Sequence, residues 1–241
     1  MKYLFIVLMV FGVNMAKAQT VEDVINKYTL AMGRLESINK IKTAKFSGSL
    51  VSQGVAYPLT VHVLNGKSMR TEVIVNGQTV INAYDKGKGW KLNPFENIVT
   101  ATEVTSADDL AMLKIQTNLA NNLMDYKKRG HEVTLLGQED IEGQKTFKIK
   151  LTSKDDGKQT VYYISTTDNM LVRSDSKQKI QGTEYDAQTF YSEIKDINGL
   201  KFSAHFVRKI EGIVFQEVTY DKIELDIPVD EQIFAIPRSG K

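Results

Sequence analysis

The 241-residue sequence contains no cysteine, only four prolines and a single tryptophan. Without cysteine the chain cannot form a disulfide, a thiol nucleophile, a thiolate metal site or a CxxC redox pair. Its stability must therefore come from a hydrophobic core alone, which a chain of this size can supply. The scarcity of proline and the absence of a low-complexity tract argue against a disordered linker or a stalk.

A strong charge of one sign is also missing. The formal net charge is +2, and Lys2 and Lys17 account for both excess positive charges. The rest of the chain is therefore neutral, and a neutral surface does not attract the phosphates of a nucleic acid. We expect no nucleic-acid partner.

Long hydrophobic runs are absent except at the N-terminus, where residues 3–13 are apolar apart from Gly12. This run is too short to span a bilayer as a helix. Lys2 precedes it, and Ala16 and Ala18 supply the small residues that a signal peptidase requires. The pattern predicts a signal peptide over residues 1–18.

We expect cleavage before Gln19 and export of residues 19–241 to the periplasm as one domain. A buried strand or helix over residues 1–18 is the alternative that the pattern disfavours. Because no cysteine follows the cut, a lipid cannot be attached in the manner of bacterial lipoproteins. No later run is long enough for a transmembrane helix.

Two helices are predicted, over Thr20–Gly33 and Ser106–Gly130. Each begins with a capping-box pattern and carries apolar residues at helical spacing. The basic residues 127–129 in the last turn of the second helix complement the helix dipole. A membrane-binding or anion-binding patch is the less favoured interpretation of these three charges.

The remaining segments alternate apolar and polar residues with a period of two, which is typical of strands. Phe147, Ile149 and Leu151 alternate with lysines, and Asn65-Gly66 and Asn76-Gly77 are hairpin signals. Short strands at this spacing predict a mainly β (α+β) domain whose antiparallel sheet forms a barrel or a sandwich.

Catalytic and metal-binding signatures are not found. His62, His131 and His205 lie far apart, without the spacing of a zinc site. The acidic pairs 139–140 and 155–156 are read as turn residues, although a glycosidase pair formed in space stays open as an alternative. We expect no enzyme activity, no cofactor and no metal, and an exported hydrolase is the third-ranked hypothesis.

Several stretches together resemble a known family. They include the opening motif Val24-Ile25-Asn26-Lys27-Tyr28 and the aromatic hairpin that contains Gly89-Trp90-Lys91. The full set of matching stretches is residues 24–42, 83–95, 125–143, 162–164 and 234–237. They resemble the bacterial outer-membrane lipoprotein-sorting proteins of LolA-like fold, in the form common in Bacteroidetes-type chains.

The resemblance implies an open, strongly curved antiparallel β half-barrel whose concave apolar face is covered by helices and holds lipoprotein acyl chains. It also implies, as partners, an inner-membrane lipoprotein-releasing transporter and an outer-membrane acceptor. The expected apolar cavity residues are Val61, Val63, Val73, Trp90, Phe147, Ile149, Leu151, Tyr163, Phe202 and Phe206. The candidates for a movable lid are Leu110, Leu113 and Leu123. In the family an arginine latches the lid, and Arg34, Arg70, Arg173, Arg208 and Arg238 are all candidates here.

Two functions follow from these expectations. The first is a periplasmic carrier or binding protein for lipoprotein acyl chains or another lipid. The second is a non-enzymatic structural or interaction module of the cell envelope, in which the same fold has a filled core. For each cavity residue, ordinary core packing is an equally good interpretation.

Overall fold

The computed structural model describes residues 19–180 and 182–237. The predicted signal peptide, residues 1–18, lies outside them. Within the described residues thirteen strands form one antiparallel sheet, accompanied by four helices and two 3₁₀ turns. In chain order the strands are β1 Thr43–Ser52, β2 Val55–Leu64, β3 Ser68–Val75, β4 Gln78–Asp85, β5 Lys88–Asn93, β6 Ile98–Val104, β7 Glu132–Ile141, β8 Gln144–Thr152, β9 Gln159–Ser165, β10 Leu171–Ile180, β11 Thr183–Ile197, β12 Leu200–Ile210 and β13 Ile213–Leu225. The helices are α1 Val21–Ala31, α2 Leu35–Lys40, α3 Ala107–Ile115 and α4 Tyr126–Arg129, and the 3₁₀ turns are Pro94–Glu96 and Glu231–Phe234.

The sheet consists of two meanders joined side by side. The strand order is β6-β5-β4-β3-β2-β1-β13-β12-β11-β10-β9-β8-β7, with β1 paired to β13. The mainly β class and the antiparallel meander are confirmed. The sheet is open, as the resemblance implies, but the expected strong curvature is wrong because the sheet is not strongly curled. The expected barrel or sandwich is wrong as well, because the strands form one sheet that does not close. Its edges β6 and β7 are not paired with each other, and helices rather than sheet closure cover the apolar side.

The first helix begins as the sequence predicts. The Thr20 hydroxyl accepts a hydrogen bond from the Asp23 N–H at 3.1 Å, and the Asp23 carboxylate accepts one from the Thr20 N–H at 3.2 Å. This capping box satisfies backbone donors that have no partner within the helix. After the helix, Gly33 has a φ of 103°, and a Cβ there would lie 2.4 Å from the Gly199 carbonyl oxygen. Only glycine fits this contact between helix and hairpin.

The single helix predicted over Ser106–Gly130 is broken into α3 and α4. The Thr117 hydroxyl donates to the Lys114 carbonyl, and the Thr117 carbonyl accepts from the Gly66 N–H at 2.8 Å. These bonds replace the helical pattern, as short polar side chains do when they compete for the backbone. The segment between α3 and α4, residues 116–125, therefore contacts the β2–β3 turn.

The two faces of the sheet differ in character. Phe147, Ile149 and Leu151 are 8%, 0% and 1% exposed, on the face that we call the inner face, whereas Lys148 and Lys150 project from the outer face. Successive side chains of a strand point to opposite faces, so the register assigns every other strand residue to one of the two. The predicted alternation in β8 is confirmed.

Candidate functional site

One end of the inner face is covered by the N-terminal helices. Val24, Ile25 and Tyr28 of α1 and Ile38 of α2 are each at most 2% exposed. They form one core cluster with residues of the sheet: Ala44, Phe46, Val63, Phe147, Ile149, Leu151, Tyr162, Ile164, Leu171, Leu200, Phe202 and Ile223. Each large apolar side chain contributes about 1.5–3 kcal/mol when fully buried, so this end of the face is a packed core.

The helices α1 and α2 and the segment 116–125 lie over this end of the inner face, and we call them the cover. Asn65, in the β2–β3 turn, connects the cover to the sheet. Its side-chain amide donates to the carbonyls of Ile38 and Ile41 at 3.1 and 2.9 Å. Its side-chain oxygen accepts from the Leu119 N–H at 3.1 Å. One side chain thus joins α2, the entry to β1 and the segment between α3 and α4. The sequence indicates only the hairpin role of Asn65, because these partners are distant in the chain and leave no local signal.

A second polar contact holds the same segment against α1. The side-chain amide of Asn121 donates to the Tyr28 hydroxyl at 2.7 Å. Burial raises the pKa of Tyr28 above its usual range, because the tyrosinate would have to lose its water. Leu123, one of the lid candidates, is fully buried in the core cluster nearby. The cover is closed over this end of the sheet.

The other two lid candidates lie on α3, over β3 to β5. Leu113 is 8% exposed and packs with Met69 and Val104, and Leu110 is half-buried against the same cluster. A Cβ at Gly89 would lie 2.8 Å from the Leu113 side chain, so α3 approaches β5 closely. All three lid candidates pack against the inner face or residues next to it.

Eight of the ten predicted cavity residues lie on the inner face. Val63, Phe147, Ile149, Leu151 and Phe202 are buried in the core cluster, and Val61 packs against it. Val73 and Phe206 are half-buried on the same face, by their pairing with Leu59 and Val218. Lipid binding by these eight side chains stays a prediction.

Trp90 lies on the opposite side, so its placement in the cavity is wrong. The pair Ala83–Trp90 belongs to the outer face, where the indole is 2% exposed. The indole N–H donates to the Phe234 carbonyl at 2.8 Å, and the Arg70 guanidinium lies 5.3 Å from the ring centroid. The C-terminal segment 226–235 covers this ring, a long-range packing that strand periodicity cannot show.

Tyr163 is also on the outer face, so the inward placement of this residue is wrong as well. It pairs with Lys148, whereas Tyr162 pairs with Ile149 and takes the inner position. The Tyr163 hydroxyl donates to Asp175 at 3.0 Å, and the Arg173 guanidinium stacks 4.1 Å from its ring centroid. Because Tyr162 and Tyr163 are adjacent, the alternation in β9 does not show which of them points to the inner face. A shift of one residue in the register exchanges the two faces of the strand.

Beyond the packed core, the inner face continues as a surface that we call the distal half, defined by Leu50, Tyr57, Val73, Phe206 and Arg208. All five side chains are half-buried. Aromatic rings line the boundary with the core: Tyr220 lies 5.0 Å from Phe46 and 5.6 Å from Phe206, between ring centroids. The distal half is mostly apolar, and Arg208 is its one cationic member.

A cavity of about 650 Å³ lies elsewhere, at the end of the sheet near the β2–β3 and β4–β5 turns. Its lining is charged and includes Lys67, Lys114, Lys128, Asp85 and Asp125. Apolar ligands bind in cavities with mostly apolar walls, so this cavity does not match an acyl chain. The inner face is the better candidate for lipid.

A hydrogen-bonded chain of Ser192, His205 and Glu217 lies on the outer face. The Ser192 hydroxyl is 2.8 Å from Nδ1 of His205, and Nε2 of His205 is 2.9 Å from the Glu217 carboxylate. These types and distances resemble a nucleophile–base–acid arrangement, which no sequence signature indicated. Ser192 is exposed, and none of these three residues lines the charged cavity. The three residues lie on the neighbouring strands β11, β12 and β13, where polar side chains commonly form hydrogen bonds, so we interpret these bonds as cross-strand contacts.

The histidines are consistent with this interpretation. His131 is buried, and its Nδ1 accepts from the Lys154 N–H at 3.2 Å. Burial lowers the pKa of His62, which favours its neutral form. Within residues 19–180 and 182–237 no three His, Asp or Glu side chains converge as metal ligands would.

Comparison with solved structures identifies the architecture. A LolA superfamily protein from Nitrosomonas europaea has a TM-score of 0.60 and 12% identity, over 90% of this chain and 98% of that one. The fold is LolA-like. A DUF1329 family protein from Desulfovibrio piger matches with TM-score 0.60 and 14% identity, over 90% and 98% of the two chains. An outer-membrane lipoprotein-sorting protein domain from Vibrio parahaemolyticus matches with TM-score 0.60 and 10% identity, over 88% and 96%.

Sequence comparison adds nothing to this assignment. No protein-family model and no curated protein matches the chain. The structural similarity therefore confirms the LolA-like fold of the predicted family, and a Bacteroidetes-type form is not shown. None of the helices described here is long and apolar enough to cross a membrane.

Proposed function

We propose that this protein is a periplasmic carrier or binding protein for lipoprotein acyl chains or another lipid. The observation that carries the proposal is the inner face, where a helix-covered apolar core continues into the half-buried distal half. The LolA-like fold supports it, because one structure of that fold is described as a lipoprotein-sorting protein domain. An acyl chain needs such a surface, since each CH₂ group transferred from water gains about 0.8 kcal/mol.

Loading requires the cover to move, because the core beneath it is already packed. The contacts that must separate are the Asn65–Leu119 bond and the Asn121–Tyr28 bond, together with the packing of Leu123. Acyl chains would replace the apolar contacts that the sheet loses when the cover lifts. The cover then has a lower local stability than the central strands, as elements that admit ligands generally do.

The partners and the location belong to the same proposal. Export through the signal peptide 1–18 brings the domain to the periplasm, where lipoproteins cross between membranes. An inner-membrane lipoprotein-releasing transporter would load the carrier, and an outer-membrane acceptor would receive the cargo. N-terminal sequencing of the envelope form tests the location, and a mature start at Met1 instead of Gln19 would refute it.

A second function is favoured by a specific observation. The core beneath α1 and α2 is filled by side chains, as expected of a structural or interaction module that carries no lipid. The edge strands β6 and β7 then offer unpaired backbone groups for a protein partner. Hydrogen exchange separates the two functions: a triacylated lipopeptide raises amide protection in residues 116–125 if the protein is a carrier and leaves it unchanged otherwise.

A binding experiment tests the carrier directly. The protein purified from its own periplasm should carry lipid or acylated polypeptide, detected by native mass spectrometry. Phe206→Ala should weaken lipopeptide binding, because it removes apolar contact from the inner face. Val207→Ala is the matched control, since Val207 is also half-buried but projects from the outer face. Equal binding by both variants, or no lipid uptake by the unaltered protein, favours the structural module.

A further inference from the structure

Arg208 differs from the other arginines of the sheet in having no carboxylate partner. Arg70 pairs with Glu72, and Arg173 pairs with Asp175 at 2.8 Å. Arg208 forms no ion pair within the described part of the chain, and its one hydrogen bond goes to the side-chain oxygen of Gln178. Its Nε is shielded from solvent and has no partner there.

The position of this charge is set by the strand register. Arg208 pairs with Thr189 of β11 and Gln216 of β13, and Phe206, two residues earlier, pairs with Tyr191 and Val218. The guanidinium therefore projects from the inner face at the far rim of the distal half. Gln178 lies on the sheet and not on a helix, so Arg208 does not hold the cover closed in this structure.

The surroundings leave the charge only partly compensated. Burial lowers the pKa of Arg208, while the neighbouring Tyr191 favours the charged form. A half-buried cation with an unused donor costs free energy unless an anion binds it. The polar side chains of Gln178, Thr189 and Gln216 lie next to Arg208 and can form hydrogen bonds to a lipid head group. The neighbouring part of the distal half, which we call the floor, is apolar.

The apolar floor extends away from Arg208 in one direction. Phe206 pairs with Val218, Val218 with Leu50 and Leu50 with Tyr57, from β12 to β2. Leu59, two residues after Tyr57 on the same face of β2, pairs with Val73 of β3. From β12 to β3 is four strand spacings, or about 19 Å. This distance is about the length of an extended palmitoyl chain.

We propose that the distal half binds a lipid with an acidic head group, whose anion pairs with Arg208 while its acyl chain lies along the floor toward β3. The inference rests on the proposed function and narrows its ligand class. Charge complementarity supports it: the arginine has a free donor, and acidic head groups supply acceptor oxygens in the geometry that a guanidinium matches.

The test compares palmitate with its uncharged methyl ester, each displacing the neutral fluorescent probe N-phenyl-1-naphthylamine from the full mature protein. We expect palmitate to bind about tenfold or more tightly than the ester, as charge-assisted hydrogen bonds imply. Arg208→Gln should remove this preference, so that palmitate binds no more tightly than the ester. Arg208→Lys should keep part of it.

Lys209→Gln is the matched control, because Lys209 is the next residue and lies over the Phe190 ring on the outer face. This variant should retain the full preference for palmitate. Equal affinity of the unaltered protein for acid and ester overturns the proposal without any variant, even where Arg208→Gln fails to fold. An equal loss of acid and ester binding in Arg208→Gln also overturns it.

Two further comparisons show whether the head-group site or the carrier function is wrong. If inorganic phosphate binds as tightly as palmitate, the proposal that Arg208 binds a lipid head group is refuted, since the site would then bind a free anion. Binding of the ester and of a triacylated lipopeptide, without preference for the acid, refutes the head-group site and keeps the carrier. No binding of the probe, palmitate, ester or lipopeptide refutes both.

Discussion

Replacing Asn65 by alanine should destabilise the cover of the inner face while the sheet remains folded. The substitution removes three hydrogen bonds, to the carbonyls of Ile38 and Ile41 and from the Leu119 N–H. A typical intramolecular hydrogen bond contributes about 0.5–1.5 kcal/mol net, so three of them amount to about 1.5–4.5 kcal/mol. Alanine removes little packing here, because Asn65 is only half-buried.

Two measurements check this magnitude. Urea denaturation should show a free energy of unfolding lower by about 1.5–4.5 kcal/mol. Native-state hydrogen exchange should show a larger drop in protection at Leu119 and Gly66, whose N–H groups bond across this junction, than in β8 and β9. Lys67→Ala, in the same turn, is the control, because the Lys67 side chain is exposed.

A loss of stability in Asn65→Ala no larger than in Lys67→Ala would contradict this role of Asn65. An equal drop in protection throughout the sheet would contradict it too, since the cover and the sheet would then unfold as one unit. A local drop confined to residues 116–125 would identify this segment as the part of the cover that opens first.

Three more predictions follow from the burial and the hydrogen bonds. Phe147→Ala should lower the free energy of unfolding, measured in urea, by about 3–5 kcal/mol. Lys148→Ala on the outer face should lower it by less than about 1 kcal/mol. Similar losses in the two variants would contradict the assignment of Phe147 to the inner face and Lys148 to the outer face. The free energy of unfolding should fall as the pH rises above 10, because the pKa of Tyr28 is higher in the folded than in the unfolded chain. Tyr28 should contribute about 1.4 kcal/mol per pH unit to this fall. A Tyr28→Phe variant with an equally steep pH dependence would exclude Tyr28 as its source. Trp90→Phe should speed proteolytic cleavage within 226–235 by removing the hydrogen bond to the Phe234 carbonyl, and unchanged cleavage would show that this bond does not hold the segment.

The elements whose signals are local were the predictable ones. The capping box of α1, the alternation in β8 and the Asn76-Gly77 turn, with φ angles of 49° and 77°, depend on neighbours within a few residues. The long helix predicted from residue 106 failed because its pattern is interrupted by bonds to the β2–β3 turn, about fifty residues away in the chain. Such a bond leaves no trace in helical periodicity.

The candidate site was predictable only in part, for a similar reason. Period-two alternation gives the relative facing of residues in one strand, and β8 and β12 came out correctly. It does not say which face the helices cover, nor what the C-terminal segment covers, so Trp90 and Tyr163 were assigned to the wrong side. Arg208 was one of five equivalent arginines until the register set it beside Phe206 on the inner face.

The sequence by itself determined the mainly β class, the antiparallel meanders, the capped first helix and the absence of thiol chemistry, because these depend on composition and on neighbouring residues. Only the tertiary structure decided which apolar face the helices bury, where the predicted long helix ends, and which arginine of the sheet has no carboxylate partner among the described residues. These outcomes depend on which distant strands pair and in what register, and a shift of one residue exchanges the two faces of a strand.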